Sequence, residues 1–95
     1  MAFGITNRFR GGTSDHYDTV VAQVHPPGGL PEGQFFHAAG PTEDGWIVIA
    51  IWDKRESWDR FRDETLLPAL QELGDQAFPT PPEVTEFETH MVVQA

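Results

Sequence analysis

The sequence predicts an α+β fold in which four strands and two helices follow one another as β α β β α β, and three observations lead there. The run Trp46 to Trp52 (WIVIAIW) holds no polar residue, so both faces of the strand it forms must be hidden from water. Two segments, one before and one after that run, repeat apolar residues at helical spacing. Clusters of Gly, Pro, Asp and Thr separate the periodic segments at loop length. Under the right-handed crossover rule this order folds as a four-stranded antiparallel sheet of ferredoxin-like type with both helices on one face.

Residues 2 to 9 (AFGITNRF) read as the first strand, ended by Gly11-Gly12, with Phe3, Ile5, Asn7 and Phe9 on one face. Thr13 or Ser14 can cap a first helix with Asp15 in its opening turn and Tyr17, Val20, Val21 and Val24 along one stripe. His25-Pro26-Pro27-Gly28-Gly29-Leu30-Pro31 cannot continue a helix, because proline lacks the amide donor and glycine favours turns. Gln34 to Ala39 and Trp46 to Trp52 form a hairpin across the turn formers Gly40 to Gly45. If that hairpin pairs Ala39 with Trp46, His37 lies opposite Val48. Asp53 and Glu56 have the spacing of a capping box, and Trp58, Phe61, Thr65, Ala69 and Leu73 extend a second helical stripe to Gly74, with Pro68 expected to kink or restart it. Val84 to Val93 reads as the last strand, with Glu86 and Glu88 on one face and Phe87, Met91 and Val93 on the other.

Ninety-five residues make one domain, spanning 1 to 95, and the absence of Cys leaves packing and association as its means of stabilisation. Two helices can blanket one face of the sheet only. Leaving several Ile, Phe or Trp side chains wet on the other would forfeit about 1.5 to 3 kcal/mol each, so the chain is expected to pair with itself as a homodimer. Six basic against fifteen acidic residues give a net charge of -9, which repels phosphate backbones and anionic membranes; neither nucleic acid nor membrane is an expected partner. The opening Met1-Ala2-Phe3-Gly4 lacks a basic n-region and an apolar h-region, so a cytoplasmic location is expected.

Three stretches together resemble the dimeric α/β-barrel superfamily, in particular its small antibiotic-biosynthesis-monooxygenase-like proteins. They are Asn7-Arg8 on the opening strand, Ile51-Trp52-Asp53 at a strand end, and Glu56-Ser57-Trp58-Asp59-Arg60-Phe61 on the helix that follows. The resemblance covers essentially the whole length. It implies that two sheets close into a barrel across a dimer, with a ligand site between helices and sheet in each subunit. Activities implied by the superfamily include cofactor-independent oxygenation of polyketide quinones, haem degradation and isomerisation of small lactones. The haem-degrading branch uses a strand-one Asn, a helix-two Trp and a His ten positions later. Asn7 matches, but Phe61 and Gln71 stand in the other two places, and a Gln amide is a poor iron ligand.

Among polar residues, His37 falls among aromatic and apolar neighbours on its strand and can serve as a base near neutral pH; a histidine hydrogen-bonded across the sheet or at a dimer seam is the alternative. Asn7 is the polar residue on its strand's apolar face, where an amide can hold an oxyanion or enolate, or be satisfied by backbone. These two are the expected catalytic pair. Tyr17, Trp46, Trp52, Trp58 and Phe61 are the expected walls of an aromatic-ligand pocket, the alternative being plain core. His16, His25, His37 and His90 lack a compact metal-ligand spacing, and no Cys nucleophile, Gly-x-Ser-x-Gly elbow, phosphate loop or flavin or nucleotide motif is present, so no metal and no cofactor are expected. The reading that results is a small-molecule pocket protein, a cofactor-independent monooxygenase or isomerase for an aromatic or polyketide-like compound. Its rival is a non-catalytic ligand-binding or assembly module of the same fold.

Overall fold

A computed structural model describes residues 2–93. The elements are β1 (Phe3–Arg10), α1 (Ser14–Val24), β2 (Gln34–Thr42), β3 (Gly45–Trp52), α2 (Arg55–Phe61), a π-helical turn (Arg62–Leu66), α3 (Leu67–Leu73), a short 3-10 turn (Gly74–Gln76) and β4 (Glu83–Glu88). The strands lie in the order β2-β3-β1-β4, every neighbouring pair antiparallel. This is the α+β, ferredoxin-like arrangement that the sequence predicts.

Alternation along the central strands sorts their side chains onto two faces. Phe3, Ile5, Asn7 and Phe9 of β1 pair with Trp52, Ala50, Val48 and Trp46 of β3 and face the helices. Trp52 (0% exposed) and Ile5 (1%) are the most deeply buried large side chains there, packed with Phe3, Ala50 and Trp58. A second cluster of Val20, Val24, Ala69 and Ala77 joins α1 to α3 and meets the first through Phe61 and Leu66. On the opposite face stand Ile47, Ile49 and Ile51 of β3, each only partly buried. They are flanked by Phe36 (37% exposed) on β2 and by Phe87 (43%), whose ring lies over Gly4.

Four local features differ from the sequence expectation, each for a physical reason. The hairpin is longer: β2 runs through Gly40-Pro41-Thr42, Thr42 pairs with Gly45, and the chain reverses at Glu43-Asp44, where Thr42 donates to the Asp44 carboxylate. Pro41 is tolerated because β2 is an edge strand, where its missing amide costs no ladder bond. His37 therefore sits opposite Ala50 rather than Val48; a shift of two preserves its face.

Asp53 does not cap α2. Lys54 is the N-cap, without a side-chain bond, and Asp53 instead accepts from the Ser57 hydroxyl at 2.5 Å while its N–H donates to the Gly33 carbonyl at 2.7 Å. That contact ties the end of the Pro/Gly loop to the end of β3. Gly33 has φ +91°, and a Cβ there would run into Ser57. At α1, by contrast, Thr13 and His16 form a reciprocal capping box, with imidazole taking the place usually held by Glu.

The stripe on the second helical segment changes phase. Pro68 cannot donate to residue 64, and the chain opens into the π-helical turn, where the Leu67 N–H donates to the Arg62 carbonyl. The extra residue directs Leu66 and Leu70 inward alongside Ala69, in place of a stripe passing through Thr65. Lastly, β4 ends at Glu88 and not at Val93, with Glu88 paired to Phe3, the first residue of β1. Thr89 closes the ladder with bonds to the Ala2 carbonyl, and Met91 and Val93 lie outside any strand.

Candidate functional site

A cavity of about 250 Å³ lies between the helices and the sheet. Its sheet side is built from Ile5, Asn7, Val48, Ala50 and Trp52, and its helix side from Val20, Val21 and Val24 of α1 and Leu66 and Leu70 around the π turn. Trp52, Trp58 and Phe61 form one wall, with ring centroids 5.2 to 6.2 Å apart. The lining is almost wholly apolar, which suits an aromatic ligand held by a few placed polar groups.

Those polar groups are unequally distributed. At one side His37 joins two neighbours. Its Nδ1 lies 2.7 Å from the Gln34 carbonyl oxygen, and its Nε2 lies 2.5 Å from the Tyr17 hydroxyl. An amide oxygen can only accept, so Nδ1 carries the proton, Nε2 presents its lone pair, and Tyr17 donates to it. His25, at the C-cap of α1, packs edge-on against His37 with centroids 4.8 Å apart. Burial, helped by the neighbouring His25, pushes His37 down to about 4; burial also lowers His25. The Tyr17 hydroxyl is raised, mainly by burial and secondarily by Asp18. Near pH 7 the cluster is therefore uncharged.

Gln34 reaches His37 because of a β-bulge. The register passes from Gln34↔Trp52 to Phe36↔Ile51 and His37↔Ala50, so Phe35 is the extra residue and Gln34 and His37 share the helix-facing side although three positions separate them. Simple alternation would place them on opposite faces, which is why Gln34 does not emerge from the sequence as a site residue. His25 is also missed, since it reads as the start of a loop. Arg62 is a third: it lines the cavity from the π turn, with its guanidinium 6.0 Å from the centre of the Trp58 ring and held by Asp59 and Asp63.

Asn7 stands on the same face but apart from the histidine. The ladder puts it level with Val48 and Ala39, two strands and two residues from His37, a backbone separation of roughly 12 Å from standard strand dimensions. Its side-chain amide makes no hydrogen bond among the described residues. It neighbours Val84 of edge strand β4, which is half exposed, so this side of the cavity opens toward solvent. Of the expected wall residues, Tyr17, Trp52, Trp58 and Phe61 line the cavity. Trp46 stands outside the lining and packs on the Tyr17 ring at 5.4 Å. Among the described residues no cluster of His, Asp or Glu is arranged to hold a metal ion, and no helix is long and apolar enough to cross a membrane.

Solved structures share this architecture over nearly the full chain. The structure of Rv0793 from Mycobacterium tuberculosis superposes with a TM-score of 0.72 at 16% identity, covering 99% of this chain and 100% of that one. SnoaB, a cofactor-independent oxygenase from Streptomyces nogalater, gives 0.66 at 16% identity, covering 99% and 97%. A monooxygenase from Streptomyces coelicolor, solved in complex with the ligand nanaomycin D, gives 0.58 at 15% identity, covering 99% and 91%. The chain has the fold of the antibiotic biosynthesis monooxygenases. No family model and no curated protein matches the sequence, and identities at this level speak for the fold alone.

Proposed function

We propose that this protein binds a compact aromatic compound of phenolic or polyketide type in the cavity and oxygenates it without a cofactor. The observation that carries this reading is an apolar, aromatic-walled cavity with the Tyr17–His37–Gln34 chain and His25 on one side, the unpaired Asn7 amide on the other, and Arg62 reaching it from the π turn. The likeness in fold to a cofactor-independent oxygenase supports it. An electron-rich enolate or phenolate reduces dioxygen directly: one oxygen atom becomes a new carbonyl on the oxygenated carbon, and the other leaves as water with two hydrogens. For an anthrone methylene both come from that carbon; for a phenol one comes from that carbon and one from the hydroxyl, whose own C–O becomes a second carbonyl. In this scheme the acidic hydrogen is drawn toward the Tyr17–His37 pair, and Asn7, across the cavity, donates to a ligand oxygen at the far end of the conjugated system, to which the negative charge spreads. Trp52, Trp58 and Phe61 exclude water from the site.

The working form is a homodimer in which the uncovered Ile47, Ile49 and Ile51 face meets its twin. Its support is the exposure of Phe36 and Phe87 beside those isoleucines.

A second reading, ligand binding without turnover, is favoured by the state of His37. Its lone pair is already occupied by Tyr17, and burial makes it a weak base. Incubating the protein with anthrone or 1-naphthol in air, while recording oxygen uptake and tryptophan fluorescence, separates the readings. Uptake that falls at least tenfold in His37→Ala and in Asn7→Ala supports oxygenation; fluorescence quenching without uptake supports binding alone. Absence of both sinks the two together.

A further inference from the structure

We infer that the Gln34–His37–Tyr17 chain makes the site selective for the hydroxyl form of its ligand over the carbonyl or ether form, with Gln34 as the positioning residue that sets this polarity. The inference rests on the pocket reading above and specifies which redox form of an aromatic ligand the pocket takes.

The argument is an inventory of protons. Gln34 is buried, and its carbonyl oxygen faces His37 Nδ1, so that nitrogen carries the ring's hydrogen. With Nδ1 protonated and the ring neutral, Nε2 has only a lone pair to offer, and the Tyr17 hydroxyl spends its single hydrogen there. What Tyr17 has left for the cavity that it lines is oxygen lone pairs. A phenol or enol can donate to that oxygen. A quinone carbonyl or an aryl methyl ether brings only lone pairs and meets lone pairs. A site built to accept a ligand hydrogen rejects the analogue lacking it, because a buried polar group is then left unpaired. Reversing the Nδ1 partner from acceptor to donor would reverse the chain and the preference, which is why Gln34, with no call to touch the ligand, decides it. Under the proposed reaction the preference also has a direction. The substrate carries a hydroxyl at Tyr17, and a product oxidised to the carbonyl there loses that bond and is released.

Two measurements test this. The first uses the free protein: long-range ¹⁵N–¹H spectra of the His37 ring should show the Nδ1-protonated, Nε2-accepting tautomer, and should show a mixture in Gln34→Met. An Nε2-protonated ring in the wild type overturns the inference without any ligand. The second titrates 2-naphthol, 2-methoxynaphthalene and 1,4-naphthoquinone under nitrogen, read by tryptophan quenching. The naphthol should bind roughly three- to tenfold more tightly than the ether or the quinone, the size expected of one hydrogen bond. Tyr17→Phe should erase that ratio, and Gln34→Met should shrink it. Equal binding of all three, or preference for the quinone, overturns the selectivity while leaving the pocket reading intact; failure of all three to bind removes the pocket reading and this inference with it.

Discussion

The two faces of the sheet are made from the same strand and meet different fates. On β3, Trp46, Ala50 and Trp52 are buried under the helices, while Ile47, Ile49 and Ile51 alternate with them on a face that the chain does not fully cover. Their apolar character is equal, so hydropathy alone cannot explain the difference in burial; topology does, because both crossovers place their helices on the same side. The face left without helices is the one proposed to meet a second copy of the chain, whereas the covered face carries the cavity. Substitutions on the two faces should accordingly fail in different ways.

The largest effect is expected on the covered face. Trp52→Ala removes the most buried side chain and one wall of the cavity and should cost about 3 to 5 kcal/mol in chemical denaturation. A loss below about 1 kcal/mol would mean that the core closes without it. On the other face, Ile49→Asp should cost about 1.5 to 3 kcal/mol, the worth of one buried Ile side chain. It should also change the mass: sedimentation at micromolar concentration should give twice the 10.6 kDa chain mass for the wild type and a shift toward the single-chain mass for the variant. A well-folded wild-type monomer at that concentration would sink the dimer.

The third expectation concerns acid. His37 is at about 4 in the fold against an ordinary 6.5, so the unfolded chain takes up its proton first. Its contribution is complete above pH 6.5, is lost as the pH falls from 6.5 toward 4, and is flat below that. Allowing for its half-exposed ring, the loss should be roughly 1 to 2 kcal/mol over that window, read as the difference between wild type and His37→Gln in urea melts at each pH. Identical pH profiles would show that the ring is not held neutral by its surroundings. The smallest effect belongs to the bare face. Gly4→Ala pushes the Phe87 ring off β1 and should cost about 1 kcal/mol, since the displaced group is a side chain on an edge strand. Unchanged dimer affinity in that variant would place Phe87 outside the seam.

Element order, sheet topology and the inward face of each central strand were legible in the sequence because they follow from local periodicity and from turn residues, both visible one segment at a time. Asn7, Tyr17, His37, Trp52, Trp58 and Phe61 could be placed near one cavity for the same reason. Gln34 could not. Its position depends on a bulge at Phe35 that only the pairing with β3 reveals, and a single extra residue reverses every parity upstream of it. The phase of Leu66 and Leu70 was hidden for a parallel reason, since Pro68 signals a disturbance without saying whether the helix will bend, break or widen. Hairpin register was missed by two residues, an error that leaves the face unchanged and so did no harm to the placement of His37.

The π-helical turn at Arg62–Leu66 has a consequence for how this site can change over time. Elsewhere in the cavity, a different ligand surface requires exchanging one side chain for another. Here it requires only a change in length: deleting one residue of the turn would take up its extra residue and rotate α3 by about 100°, one residue's share of a 3.6-residue turn, relative to α2, with Pro68 still leaving one hydrogen bond unmade. Leu66 and Leu70 would leave the cavity together and their neighbours would take their places, while the aromatic wall on the preceding turn of helix stayed where it is. The turn thus works as a frame marker within a helix, and insertions and deletions, which usually collect in loops, have at this one position a route to remodelling the interior.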